Sequence, residues 1–138
     1  MLLIIQSCKV KVTPGFIKED KMSTEQEIEK FHLRFNLGDY ELIYNNSIQE
    51  FQKSINKADI FKVLQNQHDE FRDFKSIIDK RVNLIIGAPV QIRAVYISQF
   101  KKMDLTEMFV FVKDGEQIKL ALYQFSKGRS KLPALESK

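Results

Sequence analysis

Few residues of this sequence could do chemistry. It holds one cysteine, Cys8, and two histidines, His32 and His68. A lone cysteine excludes an internal disulfide, a Cys-x-x-Cys redox pair and every multi-cysteine zinc site. Each histidine borders the apolar stripe of a separate helical segment, which predicts a packed ring with a satisfied nitrogen. Carboxylates such as Asp69, Glu70 and Asp73 stand at no spacing that recommends a metal. The five glycines are scattered at turns, so no phosphate-cradling loop exists. There is no Gly-x-Ser-x-Gly elbow, and Cys8 lies too near the terminus to suggest a cysteine hydrolase. Spacing alone therefore assigns no catalytic, metal or cofactor residue.

The elements that could position such groups come from a chain of 138 residues, 43% apolar and 29% charged. That length suits one domain with its own core and excludes a disordered polymer as a description of the whole. No stretch approaches the roughly 20 apolar residues of a membrane-spanning helix. The net charge of +4 is unevenly placed. Residues 1–22 carry four Lys/Arg against two Asp/Glu, and residues 127–138 carry four against one. Residues 23–126 carry fourteen against fifteen. Nucleic-acid binding calls for a continuous basic stripe with stacking aromatics, and neither is present. The basic ends read as solvated segments or as a weak attraction to anionic lipid.

Met1-Leu2-Leu3-Ile4-Ile5-Gln6-Ser7-Cys8 is a short apolar run, a small residue and the cysteine. This order resembles the lipobox that ends a bacterial lipoprotein signal peptide, with Ile5 and Ser7 at the matching positions and Gln6 departing from the pattern. The resemblance implies a lipid on the Cys8 thiol, cleavage beside Ser7 and anchoring in the bacterial envelope, facing the periplasm. Lys9 after the cysteine implies the outer membrane. Nothing basic precedes Leu2 and the apolar run is short for a signal core, so this reading expects the true start upstream of Met1. The competing expectation is a cytosolic protein whose Val10 and Val12, alternating with Lys9 and Lys11, form an edge strand.

Four segments follow: a signal remnant at 1–8, a linker at 9–22 punctuated by Pro14-Gly15, a folded domain at 23–126 and a flexible basic tail at 127–138. Ser23 is placed to cap a helix, with Gln26 at the reciprocal position. Ile28, Phe31 and Phe35 recur at helical spacing, and Gly38 ends the run. A short helix covers Tyr40–Asn45. Ile48 and Phe51 anchor a connection, and Ser54 or Asn56 caps a helix striped by Ile60, Leu64, Phe71 and Phe74. Strands are then expected over Ser76–Ile86, Val90–Phe100, Leu105–Lys113 and Glu116–Phe125, with turns at Gly87-Ala88-Pro89, Lys101-Lys102 and Asp114-Gly115.

Two-residue loops set a register. Ile92 faces Phe111, Ala94 faces Phe109, Phe111 faces Ile118 and Phe109 faces Leu120. One face then gathers Ile92, Ala94, Phe109, Phe111, Ile118, Leu120 and Leu122. The other mixes Arg93, Gln117 and Lys119 with Val95, Val110, Val112 and Tyr123, as a sheet face open to water or a partner would.

Helices followed by an antiparallel hairpin series resemble the cystatin-like, nuclear transport factor 2-like α+β superfamily: two or three N-terminal helices on a curved sheet of about four strands. Glu27–Tyr44 is similar to the opening of small bacterial envelope domains of that group, and Leu105–Val112 with Ile118–Tyr123 to their closing hairpin. The resemblance implies a cavity between helix and sheet. Here Tyr96 faces Glu107, with Ser98 a step further along, so these three are candidate cavity-lining residues unless Glu107 and Ser98 meet water at the hairpin end. The expected function is a non-catalytic binding or assembly domain on an envelope lipoprotein, its ligand unknown. Its partners would be the membrane through Cys8 and a second copy or envelope protein on the sheet face. The alternatives are an isomerase- or dehydratase-type enzyme using Glu107 and Tyr96, and a cytosolic structural or dimerisation domain.

Overall fold

The computed structural model describes residues 14–85, 87 and 89–132. Cys8, the remnant at 1–8, residues 9–13 of the expected linker and residues 133–138 of the expected tail lie outside the described residues. The chain is an α+β protein. Helices α1 (Pro14–Leu37), α2 (Tyr40–Asn45), α3 (Gln49–Ser54) and α4 (Lys57–Phe71) precede strands β1 (Phe74–Ile85), β2 (Gln91–Phe100), β3 (Asp104–Asp114) and β4 (Gln117–Lys127). The strands form an antiparallel meander in the order β1-β2-β3-β4.

The expected linker is helical from Pro14, and Ser23 lies inside α1 rather than capping it. Proline suits a first helical position, where its missing N–H has no partner to lose. The buried stripe of α1 runs Asp20, Thr24, Ile28, Phe31, His32 and Phe35. Its first members are polar, so apolar periodicity begins only at Ile28 although the buried face begins earlier. Thr24 Oγ1 donates to the Asp20 carbonyl at 2.8 Å, and Lys113 Nζ reaches Asp20 Oδ1 at 3.2 Å. These bonds let the polar end of the stripe lie buried against the sheet. The expected connection after Ile48 is helical, and this short α3 buries Phe51.

Phe74 belongs to β1, not to the helical stripe. Arg72, at φ 67, turns the chain out of α4, and its N–H closes on the His68 carbonyl at 2.8 Å. The β2–β3 hairpin loop then satisfies this corner, Lys101 N donating to Asp73 O and Lys102 N to Phe71 O. That loop is the expected Lys101-Lys102 pair, closed by Phe100 N to Met103 O at 3.0 Å.

The β2–β3 register is the expected one: Ile92 pairs with Phe111, Ala94 with Phe109 and Tyr96 with Glu107. The β3–β4 register is not. The turn falls at Gly115-Glu116, so Lys113 pairs with Ile118 and Phe111 with Leu120. A bulge follows, since Val110 pairs with Leu122 and Phe109 with Tyr123, leaving Ala121 as the extra residue. A bulge reverses the in–out alternation beyond it. Leu122 therefore joins Val110 on the outer face, and Tyr123 joins Phe109 on the inner one. The expected flexible tail is also held at its root. Gly128 N donates to Asp104 O, Arg129 Nε to Asp104 Oδ2, and Ser130 N to Thr106 Oγ1, all within 2.9 Å.

Both sheet edges are blunted. The Asn46–Ile48 segment lies along β4, with Ile48 N donating to Leu120 O at 2.8 Å. The β1 edge carries Asp79, Lys80 and Arg81 and two register shifts, after Phe74 and after Ile77. Those shifts matter inside. Phe74, Ile77 and Lys80 pair with Phe100, Ser98 and Tyr96, all inner-face residues, although a spacing of three cannot share a face in a regular strand. The core lies between this face and α1 and α4, built on Ile28, Phe31, Phe35, Leu64, Phe71, Phe100 and Phe109.

Asn36 fastens α1 to β1. Its Nδ2 donates to Phe74 O at 3.0 Å, and its Oδ1 accepts from Phe74 N at 2.8 Å. Asn36→Ala strips both bonds and leaves a part-buried peptide group unpaired. We expect a loss of about 1–3 kcal/mol in urea unfolding with helix content unchanged; wild-type stability in this variant would rule the clamp out.

Candidate functional site

The site has a buried layer and an open one. In the buried layer Glu107, on β3, is wholly inaccessible, and both of its oxygens are occupied. Ser98 Oγ, from β2, donates to Oε1 at 2.7 Å. Tyr123 OH, from β4, donates to Oε2 at 2.6 Å. His32 Nε2, from α1, meets Oε1 at 2.8 Å. Behind them Gln67 Nε2, from α4, donates to the Tyr123 oxygen at 2.8 Å. The Gln67 Oε1 is buried and meets no donor among the described residues.

Burial pushes the Glu107 carboxyl up, but the His32 ring beside it and the three hydrogen bonds more than offset this and hold it below the usual carboxylate range. Glu107 is thus ionised at neutral pH. An ionised carboxylate only accepts, so His32 Nε2 carries the shared proton. In the neutral ring this leaves Nδ1 as a bare acceptor. Burial, and then the Glu107 charge with its hydrogen bond, pushes the Tyr123 phenol well up and keeps it a donor.

The open layer is a groove of about 460 Å³ between α1 and β1. Met22, Glu25, Gln26, Glu29 and His32 line it from α1, where their spacing brings them to one side of the helix. Phe74, Ser76, Ile77 and Lys80 line it from β1, and Tyr96 from β2. Glu25 Oε2 and Lys80 Nζ pair across it at 3.0 Å. The His32 ring lies flat on Phe74, centroids 3.6 Å apart and planes 3° from parallel. Asn36 sits one helical turn beyond His32 and pins the Phe74 backbone, so one stretch of α1 both supplies the imidazole and orients its stacking partner.

Tyr96 lines the groove, although only 1% of it is exposed. Burial, and then the Glu25 and Glu107 charges, pushes its phenol up. Ser98 and Glu107 do not meet water at the hairpin end. Both are fully buried. The structure brings Glu107 together with His32, a packed ring with a satisfied nitrogen as the sequence predicts, and with Tyr123, which the sequence places on the opposite face, and Gln67, which it does not single out. Tyr123 was hidden by the bulge at Ala121, which no residue type announces. His68 pairs separately with Asp73, Nε2 to Oδ1 at 2.7 Å.

Among the described residues, no helix is long and apolar enough to cross a membrane, and no three His, Cys, Asp or Glu side chains gather as a metal site would. No protein-family profile matches the chain, and no curated protein matches it significantly.

The carboxylate layer makes stability depend on acid. A carboxyl whose folded pKa lies below its unfolded value, about 4.3 for Glu, stabilises above that pH and loses the contribution as pH falls through the folded value. Wild-type stability should therefore drop on acidification below about pH 4. Glu107→Gln should be less stable at neutral pH by about 1–3 kcal/mol and show a shallower acid slope. Ser98→Ala, which removes one donor, is the gentler probe, with an expected cost near 1 kcal/mol. An acid slope equal to wild type in Glu107→Gln would sink this account.

Proposed function

We propose that this chain is a non-catalytic binding domain whose site is the α1–β1 groove, held at a bacterial envelope membrane through a lipid on Cys8. One observation carries the binding reading. The groove has apolar walls at Met22, Phe74 and Ile77 and a floor where two nearly buried polar side chains, His32 and Tyr96, reach its surface. Polar groups that converge beside apolar walls in one cleft can orient and hold a small molecule. What supports the anchoring is the order Ile5-Gln6-Ser7-Cys8.

A second reading draws on the same floor. An imidazole backed by an ionised carboxylate, with its other nitrogen toward a cleft, is suited to take a proton from a bound molecule. In such an enzyme His32 and Tyr96 would meet the substrate, and Glu107 would be a positioning residue behind His32.

The groove is tested with a fragment set of neutral, cationic and anionic small molecules, followed by amide-resolved NMR. Shifts should cluster at Gln26, Ile77 and Tyr96. Gln26→Trp, at an exposed position on the groove wall, should abolish them without unfolding the protein. Shifts confined to other surfaces, or unaffected by Gln26→Trp, would reject the groove. The anchor is tested by intact mass and membrane fractionation from native cells. Loss of residues 1–7 with lipid mass on Cys8 is expected, and Cys8→Ser should release the chain. An unmodified soluble chain beginning at Met1 would overturn it.

A further inference from the structure

The groove has a chemical preference, and the inference drawn from it rests on the groove being a binding site. Its floor offers a hydroxyl that can accept as well as donate and, in the neutral His32 ring, an acceptor nitrogen. Tyr96 is 1% exposed, and its hydroxyl meets no hydrogen-bond partner among the described residues. His32 is 3% exposed and turns Nε2 to Glu107, so Nδ1 is the nitrogen left for the groove; it too has no partner among the described residues. Polar atoms buried this deeply need a partner when water is displaced from them.

The charges around the floor have one dominant sign. Among the described residues, Glu25 and Glu29 line the groove against a single cation, Lys80. The 3.0 Å pair with Glu25 engages Lys80, and Glu29 is left with no ion-pair partner among the described residues. Behind the floor stands Glu107, whose three donors remove its lone pairs from play but not its charge. An anion entering the groove would meet Glu29 at the mouth and Glu107 beneath, with Lys80 already engaged. A neutral donor would gain hydrogen bonds and nothing from the field. A cation gains both. The walls Met22, Phe74 and Ile77 would cover an apolar body next to the charge.

We propose that the groove binds an organic cation: a primary or secondary amine on a compact apolar body, its ammonium donating to the Tyr96 hydroxyl oxygen and, in the neutral ring, to His32 Nδ1. Burial is the first cause that raises the Tyr96 phenol, and the Glu25 and Glu107 charges raise it further; those charges favour a protonated amine, against the desolvation that opposes it. Glu29 acts at the mouth as a through-space partner, so its share of the affinity falls with added salt.

The test compares three probes that share a phenethyl body: phenethylamine, 2-phenylethanol and 3-phenylpropionate. Each is titrated into the full chain near neutral pH, followed by calorimetry and amide-resolved NMR. Phenethylamine should shift His32, Ile77 and Tyr96 and bind at least about tenfold tighter than the alcohol or the acid. Glu29→Gln, an exposed isosteric change that leaves the core untouched, should weaken the amine severalfold and leave the alcohol unchanged. Tyr96→Phe should weaken the amine further. If the alcohol or acid binds at these residues as tightly as the amine, the cation inference is overturned and the groove reading stands. If no probe moves these residues, the cation inference is again overturned. The groove reading itself falls only if the broader fragment set also leaves them unmoved.

Discussion

A carboxylate taken out of water must have its lone pairs met by donors, and the Glu107 carboxylate is met from three other elements. Ser98 comes from β2, Tyr123 from β4 and His32 from α1, and Gln67 extends the set to α4. Because the cost of leaving such a charge unpaired is several kcal/mol, these elements cannot slide independently. The axial position of α1, the register of β3 against β2 and the bulge in β4 are all tied to one oxygen pair. Aromatic packing fills the surrounding space: Phe109 contacts Phe31, Tyr96 and Tyr123 at ring-centroid distances of 5.0–5.8 Å. That packing is adaptable in detail, whereas the hydrogen-bond geometry at Glu107 is not.

The groove follows from the same constraint. His32 reaches inward to Glu107 and lies on Phe74, so α1 is held close to β1 at this level. Above it the two elements diverge, and the Glu25–Lys80 pair bridges the gap that hydrophobic contact leaves. The bulges of β1 bring Phe74, Ile77 and Lys80 to one side and so supply the second wall. A buried network that fixes the fold thereby presents two of its neighbours, the His32 ring and the Tyr96 hydroxyl, to an accessible surface. In the proposed binding role, one set of residues would hold the fold on its inner side and face a ligand on its groove side.

Much of the architecture was legible in the residues. The 3.6-residue period of Ile28, Phe31 and Phe35 and the stop at Gly38 located the main helix, and two-residue loop chemistry at Lys101-Lys102 set Tyr96 opposite Glu107. The misses have physical causes. The early part of α1 buries Asp20 and Thr24, whose polarity masks a buried face unless their partners are known. Asp114-Gly115 looks like a hairpin turn, but the turn settles at Gly115-Glu116, with Gly115 at φ 67. The inward turn of Tyr123 depends on an extra residue at Ala121, a choice made by packing against Phe109 and Glu107 rather than by the propensity of Leu120-Ala121-Leu122.

The sequence by itself determined the order of helices and strands, the α+β class, the β2–β3 register and the face that Tyr96, Ser98 and Glu107 share. Those follow from periodicity and turn chemistry, which act between residues near one another in the chain. The tertiary structure alone decided that His32 meets Glu107, that Tyr123 points inward and that residues of α1 and β1 enclose a groove. Each of these joins residues far apart in sequence through a buried hydrogen bond or a bulge. Such choices are made by the energy of satisfying a charge in the interior, which no local pattern of residues encodes.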